Sequence, residues 1–218
     1  MAKPLRVIGI AGASGAGKTK FARQLHQRLF GTLAPNDVAL LHEDNYYRDQ
    51  SDLSMAERLL TNYDHPAALE HDLLARHVAE LRAGRAVQIP QYDYAHHTRS
   101  QETHRFEPAR VLIVEGILVL HDQMLRSLFD VKVFVDVPLD ICLIRRLNRD
   151  IHERGRSVES ILDQYEMTVR PMYYQFIEPT KLHADIIVPR GGENEQAVDV
   201  VGRYLIHELE GDHTTPAI

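Results

Sequence analysis

Several residue types and patterns are scarce in this 218-residue sequence, and each scarcity excludes a class of protein. A single cysteine can form neither an internal disulfide nor a metal site built on cysteine pairs, which favours a cytoplasmic protein. No stretch approaches the ~20 apolar residues of a membrane span, and the apolar run 7–13 is too short for a signal peptide. The formal net charge of −6 argues against binding of nucleic acid. We therefore predict a soluble protein that binds neither membranes nor nucleic acids.

Lysine is also scarce, because only five of the 25 basic residues are lysines and the other 20 are arginines. Hydrophobic residues make up 44% of the chain and charged residues 26%, which is typical of a folded globular protein and excludes intrinsic disorder. At roughly 150 residues per domain, the length fits one domain. We predict a single domain over 1–210 and a disordered tail over 211–218.

Five short apolar runs predict strands that are buried on both faces, namely 7–11, 38–41, 111–114, 133–135 and 186–188. Stretches with helical spacing lie between them, and helices are predicted near 55–61, 138–152 and 158–170, following Ser54, beginning at Pro138 and following Ser157. This alternation predicts an α/β fold with a five-stranded parallel sheet flanked by helices. The segment 86–107 interrupts the pattern and predicts an inserted β-hairpin, with one strand to residue 94 and the other over 103–106.

Directly after the first predicted strand comes a complete G-x-x-x-x-G-K-[ST] motif, and a helix is predicted to begin around Lys18. In such a P-loop the backbone N–H groups surround phosphate oxygens, the lysine reaches the terminal phosphates and the hydroxyl binds Mg²⁺. The sequence therefore predicts a nucleoside triphosphate site formed by Gly12, Ala13, Ser14, Gly15, Ala16, Gly17, Lys18 and Thr19. An Asn-Lys-x-Asp guanine signature is absent, which argues against a GTPase.

Carboxylates follow two other predicted strands, at the ends where ligands bind in open α/β sheets. Glu115 is a candidate Mg²⁺ ligand, with a solvated acid at a strand end as the alternative. Phosphoryl transfer to a hydroxyl needs a carboxylate that accepts the proton, and Asp44 is our candidate for that base if the first two strands lie close together. Glu43 is expected to point to the opposite face of an extended segment. Tyr47 is either a substrate contact or an ordinary strand-edge aromatic.

The densest cluster of arginines falls within 145–156. Guanidinium groups that close over transferring phosphates would form a lid, which we place at 145–157. The alternative is a solvated basic helix end that is favoured by the helix dipole. The cluster consists of Arg145, Arg146, Arg149, Arg154 and Arg156.

Taken together and in order, these motifs resemble the uridine kinase (uridine–cytidine kinase) family of P-loop nucleoside kinases. The resemblance runs from residue 9 to about 194, through the segments 12–19, 43–47, 61–66, 92–99, 114–117, 149–156 and 184–192. It implies transfer of the γ-phosphoryl group of ATP or GTP to the 5′-hydroxyl of uridine or cytidine, giving UMP or CMP in pyrimidine salvage. It further implies a Mg²⁺ cofactor, a homotetramer and feedback inhibition by CTP or UTP.

The resemblance also implies roles for individual residues. Asp44 looks like the general base and binds Mg²⁺ with Thr19 and Glu115. Asp64 resembles the carboxylate that holds the ribose hydroxyls. Further nucleoside contacts are implied for Tyr92, Tyr94, His97, Arg146 and Gln164, with His96 as an alternative to His97. Catalytic or phosphate-facing roles are implied for Lys18, Arg149, Arg154 and Arg156, and a place near the nucleotide base for Gly191 and Gly192.

Two other functions remain open from the residues. Phosphoribulokinase and pantothenate kinase share this P-loop plan, but residues 44–65 contain two arginines against five acidic residues, which suits a neutral acceptor better than an anionic one. A non-catalytic nucleotide sensor is the second alternative. The intact Lys18, Thr19, Asp44 and Glu115 argue against it.

Overall fold

The computed structural model describes residues 5–211, and a five-stranded parallel sheet lies at its centre. The strands of the chain are β1 (Arg6–Gly12), β2 (Val38–His42), β3 (Val87–Asp93), β4 (Thr98–Phe106), β5 (Val111–Glu115), β6 (Val131–Asp136) and β7 (Ile186–Pro189). The sheet has the order β2-β5-β1-β6-β7, with every neighbouring pair parallel. The predicted fold class is therefore confirmed.

Helices connect and cover the strands. They are α1 (Lys18–Phe30), α2 (Met55–Leu59), α3 (His71–Arg82), α4 (Gln123–Ser127), α5 (Leu139–Arg154), α6 (Val158–Gln164), α7 (Arg170–Met172) and α8 (Glu195–Gly211). Short 3₁₀ turns occur at Pro35–Asp37, Glu43–Tyr46, Pro66–Ala68, Glu178–His183 and Gly191–Glu193, and π-helical turns at Tyr165–Val169 and Tyr173–Ile177. None of the helices between residues 5 and 211 is long and apolar enough to cross a bilayer.

The sheet and one stripe of each long helix form the core. All five residues of β5 are buried, as expected for a strand covered on both faces. In α1 the buried apolar residues are Phe21, Ala22, Leu25 and Leu29, which recur at the helical period. Ser54 begins α2 with a capping box, and the Ser157 hydroxyl accepts a hydrogen bond from the Ser160 N–H at the start of α6. Helix α5 begins one residue later than predicted, at Leu139, so Pro138 is its N-cap.

The hairpin differs from its predicted limits. Strands β3 and β4 pair antiparallel outside the main sheet, and β4 begins at Thr98 rather than at residue 103. Most side chains of β4 are exposed and polar, so the strand carries no hydrophobic alternation that a sequence pattern could reveal. Its start is fixed instead by Thr98, whose buried hydroxyl donates to Asp49 and accepts a hydrogen bond from the Gln50 N–H.

The predicted helix over 158–170 ends its regular part at Gln164 and continues as a π-helical turn. Pro171 follows within the same run of helix. A proline supplies no N–H to the preceding turn and its ring crowds the carbonyl there, so the helix widens at this point. Of the predicted disordered tail over 211–218, Gly211 is the last residue of α8, and residues 212–218 lie outside the described residues.

Candidate active site

The phosphate loop joins the end of β1 to the start of α1, as the motif predicts. Gly17 is the N-cap of α1 and gives no side-chain cap, so the first N–H groups of the helix face the loop without a side-chain partner. Gly15 has a φ of +84°, and a Cβ there would overlap the carbonyl oxygen of Cys142 in α5. The Lys18 ammonium is buried and donates to the carbonyl of Ala13 at 3.1 Å. The loop is thereby held against α5 with its cation pointing across it.

Glu115, at the end of β5, connects the phosphate loop to the neighbouring strand. Its Oε1 accepts a hydrogen bond from the Thr19 hydroxyl at 2.9 Å and lies 2.7 Å from Nδ1 of His42. Burial opposes ionisation of this carboxyl, but the hydrogen bond with His42 and the charge of Lys18 outweigh it and lower the pKa of Glu115. Glu115 is therefore an ionised carboxylate that lies between Thr19 of α1 and His42 of β2.

Asp44 lies in the 3₁₀ turn Glu43–Tyr46 that follows β2. The premise that β1 and β2 adjoin is wrong, because β5 lies between them. Burial raises the pKa of Asp44, and the nearby charge of Glu115 raises it further. The Tyr94 hydroxyl donates to Asp44 Oδ2 at 3.0 Å, and this bond, with the charge of Lys18, acts in the opposite direction. Asp44 is thus grouped with Glu115 and Lys18 at one end of the sheet.

Glu43 differs from Asp44 in its surroundings, although the segment is a turn rather than the expected extended chain. The Glu43 side chain is fully buried. It accepts a hydrogen bond from the Leu118 N–H at 2.9 Å and lies 2.8 Å from Nε2 of His71. Glu43 therefore anchors the turn to the segment after β5 and to α3, while Asp44 faces the site.

The donor set at this end of the sheet fits Mg²⁺. Thr19, Asp44 and Glu115 offer one hydroxyl and two carboxylates, which are the hard oxygen donors that Mg²⁺ takes. Within the part of the chain that the structure describes, no group of three or more His, Cys, Asp or Glu side chains could hold a metal. Mg²⁺ is commonly bound by one or two carboxylates together with phosphate oxygens, and this arrangement matches that type of site.

Aromatic rings from two segments form a cluster beside Asp44. Tyr47 and Tyr92 lie 5.0 Å apart between ring centroids, and Tyr92 and Tyr94 lie 5.2 Å apart. Tyr63 packs against Tyr47 at 5.4 Å and against His97 at 5.7 Å. The structure therefore brings together the predicted aromatic residues of the hairpin and those that follow β2.

His96 and His97 make different contacts. His96 has a side chain that is 73% exposed, and its Nδ1 lies 2.7 Å from Asp93 Oδ2. His97 has a φ of +50° and contacts Tyr63. The positive φ turns consecutive histidines in different directions, and the one in the aromatic cluster is His97.

Asp64 is a buried carboxylate close to the cationic residues of the site. Burial raises its pKa, while the charges of Arg146 and Lys18 work in the opposite direction. The structure thus places Asp64 within electrostatic reach of both the arginine cluster and the phosphate loop.

The arginine cluster adjoins the phosphate loop and the aromatic cluster. Arg146 is buried, and it donates to the Ser14 hydroxyl at 2.9 Å and to Gln164 Oε1 at 2.8 Å. Arg156 donates to the same Gln164 oxygen at 2.6 Å. The guanidinium of Arg154 lies over the Tyr94 ring, 5.5 Å from its centroid. Arg149 donates to Asp150 Oδ1 at 2.8 Å.

The loop that follows β7 packs on the phosphate loop. Gly191 has a φ of +64°, and a Cβ on it would overlap the carbonyl oxygen of Ala16. Gly192 is buried beside Lys20. The place of both glycines near a nucleotide base remains a prediction, while their contact with the phosphate loop is observed.

Sequence reasoning assigns no role to three residues of the site. Tyr63 belongs to the aromatic cluster, and its position beside Asp64 in segment 61–66 is the signal that could have found it. His42 precedes the Glu43-Asp44 pair, but only strand pairing shows that it faces Glu115. Asp150 is one acidic residue within an arginine-rich segment of the sequence, whereas in the structure its carboxylate lies among the arginines.

Comparison with known proteins identifies the family. The family model described as Phosphoribulokinase / Uridine kinase family matches residues 7–197. A protein of Tolumonas auensis named uridine kinase is 54% identical over 203 residues, which cover 93% of this chain and 95% of that protein. A uridine kinase of Proteus mirabilis is 54% identical over 195 residues, covering 89% of this chain and 92% of that protein.

A solved structure shows the same fold at lower sequence identity. It is described as a possible uridine kinase from Bacillus stearothermophilus, with a TM-score of 0.61 and 21% identity, and it covers 86% of this chain and 90% of that chain. The family model and the two uridine kinases confirm the resemblance that the sequence motifs carry. Because the family model spans most of the chain and the relatives match over nearly their whole length, this chain belongs to the phosphoribulokinase/uridine kinase family.

Proposed function

We propose that this chain is a uridine–cytidine kinase, which transfers the γ-phosphoryl group of ATP or GTP to the 5′-hydroxyl of the nucleoside. The observation that carries the proposal is the position of Asp44, grouped with Glu115 and Lys18 and hydrogen-bonded to Tyr94 of the aromatic cluster. A carboxylate there lies between a phosphate site and a wall of flat aromatic rings. The names of relatives that are 54% identical support the same activity.

The donor side consists of the phosphate loop and the start of α1. Backbone N–H groups at the N-terminus of α1 bind phosphate oxygens, and the buried Lys18 ammonium supplies a positive charge beside them. Thr19, Asp44 and Glu115 would hold Mg²⁺, which neutralises charge on the phosphates when it is bound. The glycines 191 and 192 would border the nucleotide base.

Asp44 acts as the general base on the acceptor side. Its raised pKa, caused chiefly by burial, makes it a better proton acceptor than an ordinary aspartate. It takes the proton of the 5′-hydroxyl as that oxygen attacks the γ-phosphorus. The hydrogen bond from Tyr94 orients the carboxylate and links the base to the wall that holds the nucleoside.

The acceptor is recognised by Asp64 and the aromatic cluster. Asp64 accepts hydrogen bonds from the vicinal ribose hydroxyls, and Tyr47, Tyr92 and Tyr94 present flat faces to the pyrimidine. His97 can donate or accept according to its tautomer, so it can face either the O4 of uracil or the amine of cytosine. Arg146 and Gln164 are additional nucleoside contacts. This set favours both uridine and cytidine as substrates.

Arg149, Arg154 and Arg156 close over the transferring phosphoryl group in this proposal. Forked guanidinium donors match the geometry of phosphate oxygens and exclude water from the site. Arg154 stacks on Tyr94 and thereby joins the lid to the ring that holds Asp44. Closure of the lid would therefore act on the base and on the phosphates together.

A coupled ADP-release assay over a panel of acceptors tests the proposed function. The panel contains uridine, cytidine, their 2′-deoxy forms, adenosine, pantothenate and ribulose 5-phosphate, with ATP as donor, or with GTP as donor and GDP as the measured product. We expect uridine and cytidine to give the highest rates. A preference for ribulose 5-phosphate or pantothenate would reject the nucleoside assignment, and ADP release that no acceptor accelerates would reject a kinase.

We also propose, on the family alone, a homotetramer that CTP or UTP inhibits. Light scattering on the purified protein measures the assembly, and titration of CTP into the uridine assay measures the inhibition. A monomer, or a rate that millimolar CTP leaves unchanged at subsaturating ATP, would remove the respective part of this proposal.

A further inference from the structure

A single buried carboxylate lies among four arginines at the end of α5. The Asp150 side chain is 0% exposed. Its Oδ1 accepts a hydrogen bond from Arg149 at 2.8 Å and lies 3.6 Å from Nη1 of Arg154. Its Oδ2 accepts a hydrogen bond from Arg156 at 3.2 Å and lies 3.7 Å from Nε of Arg146. Asp150 is thus the common neighbour of all four guanidinium groups.

The backbone of Asp150 fixes the same region. Its carbonyl accepts hydrogen bonds from the N–H groups of Gly155 and Arg156. Gly155 has a φ of +62°, which ends the helix and turns the chain back. The turn brings Arg156 back to the end of α5. Asp150 therefore determines the positions of arginines that precede the turn and of the arginine that follows it.

The charges around Asp150 do not cancel. Burial of the carboxylate opposes its ionisation, but the charges of Arg149, Arg146 and Arg154 outweigh this effect and lower its pKa. One negative charge among four positive charges leaves an excess of three positive charges. The cluster therefore keeps a net positive charge that can bind an anion. Without the contacts to Asp150, the guanidinium groups would repel one another and move apart.

We propose that Asp150 is a positioning residue, which presets the lid arginines for the transferring phosphoryl group. The inference rests on the proposed kinase function. Donors that are already in place need no rearrangement when charge develops on the phosphoryl group, and this is the source of their catalytic effect. Asp150 acts only through the arginines, because its own carboxylate would repel a phosphate.

Asp150→Asn tests the proposal through a split between turnover and nucleotide binding. The variant keeps the size of the side chain and removes the charge that gathers the arginines. We expect kcat with uridine to fall about 100-fold, as for a misplacement of catalytic groups by ~1 Å. The Kd of MgATP, from isothermal titration calorimetry, should stay within about threefold or tighten, because the cluster becomes more positive.

Two further variants separate position from charge. Glu153→Gln removes the same charge from the last turn of α5, where Glu153 is exposed and no ion pair of it is observed among the described residues, so its kcat should match the wild type. Asp150→Glu keeps the charge but moves it by one methylene, and kcat should fall ~10-fold. If Asp150→Asn lacks a native circular dichroism spectrum, Asp150→Glu carries the test.

Three results would overturn the proposal. They are an unchanged kcat in Asp150→Asn, a parallel loss of kcat and MgATP affinity, which indicates a purely structural role, and a normal rate in Asp150→Glu. The wild-type rate with uridine reports separately on the proposed function. If another acceptor is phosphorylated instead, the ratio of variant to wild type on that acceptor still tests Asp150.

Discussion

The carboxylate of Asp64 is deeply buried, so it needs hydrogen-bond donors from the bound substrate. At 5% exposure it is only marginally accessible to solvent, and a carboxylate left without partners there costs free energy. If two ribose hydroxyls are those partners, a substrate that lacks one of them should have a much lower kcat/KM. We therefore propose that Asp64 distinguishes ribonucleosides from deoxyribonucleosides.

We predict that Asp64→Asn reduces the preference for uridine over 2′-deoxyuridine, measured as the ratio of their kcat/KM values. The loss should be ~10- to 100-fold, corresponding to ~1–3 kcal/mol for a buried acceptor without its partner. Asp52→Asn, which changes an exposed carboxylate of the same segment, is the control and should keep the wild-type ratio. An unchanged ratio in Asp64→Asn would show that ribose is recognised elsewhere.

At the scale of elements, the loop after β7 and the phosphate loop depend on one another. Gly191 approaches the carbonyl of Ala16 so closely that no side chain fits between the two loops. Gly84, at the end of α3, also has a positive φ of +76°, but a Cβ on it would meet nothing within 4 Å. A residue with a Cβ would be strained by the positive φ at either position, but only at Gly191 would that Cβ also overlap another atom.

We predict that Gly191→Ala weakens MgATP binding by at least ~10-fold and lowers the thermal midpoint. Gly84→Ala should lower only the free energy of unfolding, by the ~1 kcal/mol that a left-handed alanine costs. Calorimetric titration and thermal unfolding measure the two effects. Equal affinity for MgATP in both variants would contradict the view that the loop after β7 shapes the phosphate loop.

The turn that carries Asp44 is anchored by the buried pair of Glu43 and His71. Burial lowers the pKa of His71, but the hydrogen bond and the charge of Glu43 more than compensate, so that the pKa lies above 6.5. A raised pKa means that protonation favours the folded state. This stabilisation is fully present below the ordinary pKa and is lost as the pH rises through the raised one.

We predict that His71→Gln lowers the free energy of unfolding by about 3 kcal/mol near pH 6 and by less near pH 9, because the variant leaves Glu43 buried without its cation. Urea unfolding at the two pH values measures the difference. His183→Gln, at an exposed histidine, should show little change at either pH. A penalty for His71→Gln that does not vary with pH would exclude a charged pair.

The elements differ in how far the sequence predicts them. The strands of the main sheet and the phosphate loop were predictable because apolar runs and the glycine-lysine motif are local in the sequence. The sequence predicts the start of strand β4 too late, since the exposed polar residues of this strand show no period and only pairing with β3 defines it. The contacts of His42 with Glu115 and of Asp150 with Arg156 were not predictable, since strand order and a helix-ending turn create them.

At the scale of the whole molecule, the net charge of −6 is divided unevenly. Arg146, Arg149, Arg154 and Arg156 surround one buried carboxylate, whereas Asp44, Asp64 and Glu115 belong to the proposed acceptor and metal sites. The donor is a polyanion and the acceptor is neutral. The two substrates should therefore respond differently to salt.

We predict that an increase of KCl from ~50 to ~500 mM raises KM for MgATP several-fold and leaves KM for uridine within about twofold, because salt screens the attraction between the arginines and phosphates. Steady-state kinetics at fixed Mg²⁺ measure both constants. Equal salt dependence of the two constants would mean that the cationic cluster does not face the nucleotide.

We propose that Asp44 directs phosphoryl transfer from ATP to a nucleoside hydroxyl, and analysis of the labelled products tests this claim. Wild type and Asp44→Asn are incubated with γ-³²P-labelled ATP, Mg²⁺ and uridine, and labelled products are separated by chromatography. We predict that the wild type transfers the label to uridine 5′-monophosphate and leaves unlabelled ADP, and that Asp44→Asn does so at least ~1,000-fold more slowly with MgATP affinity retained. Labelled inorganic phosphate in place of the nucleotide product, or a near-normal rate in Asp44→Asn, would contradict the claim.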